Sequence, residues 1–297
     1  MSTGSLPTDI AGLQHFSFVN GDVQLHAIAA GPNDGPVVLL LHGFPEFWYG
    51  WRKQIGTLAA AGFRVVVPDQ RGYNTSSKPR GVASYRLQHL VSDVLAIIEQ
   101  LGRRDVYLAG HDWGAIVAWA LAARHPEKVA RLVILNVPHP AVMFRFLLTH
   151  PTQFARSWYT FFFQVPRLPE WLFSSWNFRA GVRSLVATSR PGTFSPADLL
   201  QYRSAWAQPG ALRAMINWYR ALMRHPRSFR VGQVEVPTRI LWGKKDAFLH
   251  PSLASMSQRK CTRSEVIWFE GATHWLHLEE ADAVNSALVE FFSGPEK

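Results

Sequence analysis

Three residues stand in an order that can do chemistry: Asp112 in GHDWG, Asp246 in WGKKDAF and His274 in GATHWLHLEE. GHDWG has the form Gly-x-nucleophile-x-Gly. It follows the run VYLAG and opens the helix-like run AIVAWALAA. Such a strand-to-helix turn usually projects a serine. Here it projects a carboxylate, with Gly110 and Gly114 keeping the turn clear around it. A carboxylate with an ordinary pKa of about 3.9 is anionic at neutral pH. It can attack an electrophilic carbon directly, whereas serine must lose a proton during attack. The ester so formed has to be hydrolysed in a second step. A histidine oriented by an acid can activate water for it. Asp246 and His274 follow Asp112 in the order nucleophile, acid, histidine.

Each assignment has a competitor. Asp112 could be only a helix N-cap, a position that suits aspartate. Asp246 could be a solvated turn acid. His277 is a rival base three residues after His274, but it would sit nearer the following helix. A fourth segment, HGFPEFWYGW at 42–51, directly follows VVLLL. A loop in this place supplies one backbone N–H of an oxyanion hole, here that of Phe44, with the N–H of Trp113 as the second. Pro45 is a candidate for a cis peptide bond in a tight turn. DQRGYN at 69–74 reads as structural, since Gly72 and Asn74 both tolerate left-handed backbone.

The elements that must position these residues are legible as alternating strands and helices. Strands are expected at 16–20, 23–30, 37–43, 64–69, 106–110, 131–136, 238–243 and 265–270. Helices are expected near 48–61, 86–101, 114–125, 251–260 and 279–292. A hairpin-like start followed by β/α alternation predicts an α/β fold, with a mostly parallel eight-stranded sheet covered on both faces. Asp112, Asp246 and His274 would then lie at the C-terminal ends of strands, where open parallel sheets carry their sites. The alternation stops after LNVPHP. From about 140 to 230 the chain reads as aromatic-rich helical pieces broken by Pro and Gly, far longer than an ordinary loop of about 12–15 residues. We therefore expect a core of residues 1–138 and 232–297, with an inserted helical cap at 139–231.

The 297 residues carry a net charge of +10. Twelve arginines and only two acids, Glu170 and Asp198, lie between 140 and 230, so this segment holds the whole excess. The arginines are scattered and no nucleic-acid motif accompanies them, which argues against a nucleic-acid partner. A solvated helical surface accounts for them. A field attracting anionic substrates or a membrane surface is the sharper alternative. Homodimerisation stays open. The single cysteine, Cys261, excludes an internal disulfide and fits a reducing, cytoplasmic setting. The N-terminal residues lack the pattern of a signal peptide, and no apolar run is long enough to cross a bilayer. No metal or organic cofactor motif is present.

HGFPEFWYGW, DQRG, GHDWG, the placements of Asp246 and His274, and the segments WYTFFFQVP (158–166) and INWYR (216–220) together resemble epoxide hydrolases of the α/β-hydrolase fold. The resemblance runs from about residue 14 to 292. It implies that Tyr159 and Tyr219 reach over the nucleophile and hydrogen-bond the epoxide oxygen. Substrate would touch Phe44, Pro45, Trp113, Tyr159 and Tyr219, and an apolar aryl, alkyl or lipid epoxide would become a vicinal diol, in a detoxifying role. GHDWG is shared with haloalkane dehalogenases, so a dehalogenase using the same aspartyl ester is the alternative. That group typically has Asn where this chain has Phe44, and it lacks the two tyrosine segments. A non-catalytic receptor on the same fold is the second alternative. Phe47, Asn74 and Ala115 depart from the family's usual residues and bear on pocket shape.

Overall fold

A computed structural model describes residues 12–294. Its centre is an eight-stranded sheet in the order β1-β2-β4-β3-β5-β6-β7-β8. The strands are β1 Gln14–Asn20, β2 Val23–Ala30, β3 Val37–Leu41, β4 Arg64–Pro68, β5 Val106–His111, β6 Val129–Leu135, β7 Thr238–Gly243 and β8 Ser264–Phe269. β2 runs antiparallel to both β1 and β4. All pairings from β4 to β8 are parallel. β3 and β4 are buried along their whole length, as expected of strands covered on both faces.

The helices are α1 Arg52–Ala60, α2 Leu87–Gln100, α3 Trp113–Arg124, α4 Pro140–Thr149, α5 Pro151–Arg156, α6 Trp158–Phe162, α7 Leu168–Thr188, α8 Pro196–Trp206, α9 Ala211–Arg224, α10 Ser252–Gln258, α11 Leu276–Glu279 and α12 Ala281–Ser293. In α2 the buried set Leu87, Leu90, Val91, Val94, Ile97 and Ile98 follows the helical period. α3 buries nine of its twelve residues. The helix expected at 48–61 begins as a 3-10 turn, Trp48–Trp51, before α1. The one expected at 279–292 is two pieces, α11 and α12.

Between β6 and β7 the chain makes α4 to α9 and no strand. Aromatic side chains with polar tips fasten this segment to the loops that follow β3 and β4. Tyr202 donates to Glu46 Oε1 at 3.0 Å, Trp218 to the Arg71 carbonyl at 3.0 Å, and Trp206 to the Pro45 carbonyl. Such residues bury large apolar area while the tip finds a partner. In α7 the backbone leaves the helix at Ser175, and Trp176, Asn177 and Phe178 adopt left-handed conformations.

Candidate active site

Phe44, Asp112, Asp246 and His274 follow β3, β5, β7 and β8, at the C-terminal ends of parallel strands. Asp112 sits at the elbow with φ +49°, an unfavourable backbone for a residue with a side chain. Two close approaches make room for it. A Cβ on Gly43 would collide with the Asp112 side chain, and one on Gly114 with the carbonyl of Leu41. Asp112 occupies the N-cap position of α3 but makes no capping hydrogen bond with its side chain. Its carboxylate points elsewhere. Oδ1 accepts the Phe44 N–H at 2.7 Å, and Oδ2 lies 3.6 Å from His274 Nε2. The Phe44–Pro45 peptide is cis. Trp113 is the first residue of α3, and its indole packs edge-on against Tyr219 at 4.9 Å.

His274 Nδ1 is 2.7 Å from Asp246 Oδ2. Asp246 is buried and fully engaged, unlike a solvated turn acid. Its Oδ1 accepts the N–H groups of Phe248 and Leu249 at 2.7 and 3.0 Å, and its Oδ2 also accepts from Asn136 Nδ2 at 2.9 Å. Burial favours neutral His274, but the Asp246 charge and the bonds to both carboxylates raise its pKa to about 10. Burial would likewise raise the Asp112 carboxyl. The His274 partner, the His111 charge and the Phe44 N–H outweigh it and hold Asp112 below its ordinary value. Resting, the pair is carboxylate and imidazolium.

Tyr159 and Tyr219 come from α6 and α9 and line one cavity of 370 Å³ with Asp112 and His274. Their rings stand 5.9 Å apart at 77°. Burial, and next the Asp112 charge, push both phenols up in pKa. Both are therefore protonated donors throughout the neutral range. The remaining walls are mainly apolar: Phe44, Trp158, Phe162, Phe163, Phe173 and Phe248 among them. Among the described residues no arginine or lysine lines the cavity, so a positive field for anionic substrates has no anchor there.

The three departures noted in the sequence lie outside the cavity lining. Phe47 is buried against Tyr49 and Tyr202. Asn74 takes φ +42° and donates to Asp69 at 2.7 Å. Ala115 is fully buried beneath Gly110.

Sequence reading missed a buried network behind the site. His111 Nδ1 lies 2.9 Å from Glu46 Oε2 and its Nε2 2.8 Å from the His274 carbonyl. Both nitrogens face acceptors. His277 lies with them, its Nε2 3.5 Å from Glu46 Oε1, whereas His274 is the histidine whose Nε2 stands 3.6 Å from Asp112 Oδ2. Burial lowers the His277 pKa to about 4, leaving it neutral. Among the described residues this trio is the group compact enough to consider for a metal. The ligand atoms of Glu46 and His111 are already spent on each other, on Tyr202 and on the His274 carbonyl. Asn136 was missed too. With φ +51°, it also accepts the Gly243 N–H at 2.6 Å. Glu46 and His111 lay inside quoted motifs, where a charged residue amid apolar ones was the available signal.

A family model described as "alpha/beta hydrolase fold" matches residues 36–281. The chain belongs to the α/β-hydrolase family. It is 42% identical to the AB hydrolase superfamily protein YfhM of Bacillus subtilis, over 92% of this chain and 96% of that protein. It is 37% identical to epoxide hydrolase 4 of Mus musculus, over 91% and 76% of the two chains. The crystal structure of a Bacillus megaterium epoxide hydrolase in complex with an inhibitor superposes with a TM-score of 0.85. That match has 31% identity and covers 95% of this chain and 100% of the other. Within its family the chain thus groups with epoxide hydrolases, and it is a hydrolase enzyme. Among the described residues, no helix is long and apolar enough to cross a membrane.

Proposed function

We propose that this hydrolase opens an apolar epoxide to a vicinal diol through an ester on Asp112. The observation that carries the reading is one carboxylate with two differently occupied oxygens, in a cavity lined by two protonated phenols. Asp112 Oδ2 is the attacking oxygen. As the carbon–oxygen bond breaks, the departing oxygen takes a proton from Tyr159 or Tyr219. Oδ1, already on the Phe44 N–H, becomes the ester carbonyl. In the second step it becomes an oxyanion held by the N–H groups of Phe44 and Trp113.

Alkylation also changes the base. The Asp112 charge, one cause of the raised His274 pKa, is gone once the ester forms. His274 then falls toward neutrality while Asp246 keeps it oriented, and it can take a proton from water attacking the ester carbon. The helices from 139 to 231 act as a cap over a core of 1–138 and 232–297. A cytoplasmic setting and a detoxifying role on lipid epoxides belong to the same reading.

The phenols favour this reading over a dehalogenase, because a departing halide needs hydrogen-bond donors but no proton. A single turnover of excess enzyme with styrene oxide in ¹⁸O-water tests it. Label in the Asp112 carboxylate and none in the first diol is expected. Label in that diol alone would mean that water attacks the epoxide directly, and would end the ester reading.

A further inference from the structure

Among the described residues, ten of the fifteen exposed large apolar side chains fall between Phe144 and Trp176. They form two ridges. Phe154, Trp158 and Phe161 recur at helical spacing on α5 and α6, with the Phe154 and Phe161 rings 5.0 Å apart. Leu168, Trp171 and Leu172 recur likewise at the start of α7. Trp158 and Leu172 are exposed yet also line the reaction cavity, so the ridges meet at its mouth. Leu148, 88% exposed, and Trp176, 74% exposed, belong to the same stretch of chain. Exposed apolar residues gathered at the mouth of a cavity mark an interaction site.

The charge on this stretch has one sign. Arg145, Arg167, Arg179 and Arg183 are exposed. Its one acid, Glu170, is tied to Arg220 at 2.5 Å. The kink in α7 adds a third observation. Trp176 and Phe178 hold left-handed backbone that bulky residues disfavour, and the result is an indole turned into solvent.

From these features we infer that this face docks on an anionic lipid bilayer and that apolar epoxides reach the cavity from the lipid. Indoles suit the boundary between headgroup and acyl chain, and arginines are drawn to an anionic leaflet. A bilayer that takes up Trp176 offsets the strain that exposes it. A second copy of the chain fits less well, because a twofold interface sets the arginines against themselves. Entry of substrate from the lipid rests on the proposed epoxide reaction; docking itself does not.

Flotation with phosphatidylcholine vesicles, with and without phosphatidylglycerol and without substrate, tests the surface. The wild type should float with the anionic vesicles and be released by high salt. The pair Trp171→Ser and Trp176→Ser should weaken binding about tenfold or more. The pair Arg145→Glu and Arg179→Glu should weaken it at least about fivefold per charge. Both pairs should hydrolyse a water-soluble epoxide in vesicle-free buffer at the wild-type rate. A wild type that never floats, or that floats equally well with both pairs substituted, would overturn the inference. So would a wild-type dimer that the same substitutions convert to monomer without any vesicle binding. Since flotation is read without substrate, a failed turnover experiment would leave the docking surface standing.

Discussion

The floor and the roof of the cavity are built by different means. On the floor, polar atoms are positioned by directional bonds. The two oxygens of Asp246 accept four hydrogen bonds, from His274, Asn136, Phe248 and Leu249. Asp112 is clamped by the Phe44 N–H and set by a turn that admits no Cβ beside it. On the roof, position comes from ring packing. Tyr219 stands edge-on to Phe44, Trp113, Phe163 and Tyr159. Hydrogen bonds lose their worth within a fraction of an ångström or some tens of degrees, whereas edge-to-face rings tolerate a range of separations. The floor fixes which bond is made. In the proposed reaction the roof would decide which molecule is admitted and would supply the proton.

The largest break in this contrast comes from the floor. Asp112→Ala should abolish diol formation, read by product analysis under single turnover, with the fold retained by circular dichroism. His274→Gln should divide the reaction at its midpoint. One equivalent of epoxide is consumed and the peptide bearing Asp112 gains its mass, while steady turnover falls by roughly 10²–10⁴. A His274→Gln protein that forms no ester at all would count against the division of labour.

The floor was also the more legible half in the sequence. The inner strands β3 to β7 were legible because β-branched and apolar runs are continuous where a sheet is buried on both faces, and the less covered edge strands β1 and β8 because they are rich in aromatic and β-branched residues. Asp112, Asp246 and His274 could be named because each follows such a run. The network of Glu46, His111 and His277 was not legible, since its members lie far apart in sequence and only the fold brings them together. The same holds for Asn136, which looked like the end of a strand. On the roof, sequence gave helical pieces without their boundaries. Pro151 opens α5, but no periodicity marks α6 or the kink in α7. Tyr159 and Tyr219 emerged through resemblance, because nothing local separates them from the other aromatic residues.

Effects on the roof should be smaller singly and larger together. Tyr159→Phe or Tyr219→Phe leaves one donor, so alkylation should slow by about tenfold in each. The double variant should slow by roughly 10²–10⁴, the worth of a general acid. Stopped-flow fluorescence of the first turnover measures this, and one single variant as slow as the double with the other at the wild-type rate would show that only one phenol donates.

Proton titration sharpens the contrast in another way. Raised to about 10 by Asp246 and Asp112 against the pull of burial, His274 gives stability that is complete below its unfolded value near 6.5. That stability is lost as pH rises toward about 10. Removing the Asp112 charge in Asp112→Ala should bring the His274 midpoint down, read by NMR of the imidazole. An unchanged midpoint would mean that alkylation does not prepare the base.

The smallest effect on rate should come from a residue that belongs to neither half. Phe47 departs from the usual residue in the resembling family, yet it packs on Tyr49 and Tyr202 and does not line the cavity. Phe47→Ala should cost about 3–5 kcal/mol of stability through the space it leaves. A fall in Tm and an unchanged kcat/KM for small epoxides are the expected pair of results. The one route from this position to the chemistry runs through Tyr202, whose hydroxyl donates to Glu46 behind the His274 loop. If kcat falls while KM holds, that route is live, and the buried acid behind the floor is sensitive to packing as the roof is. If KM moves instead, the cavity wall has shifted, and the separation of floor from roof fails at their shared boundary.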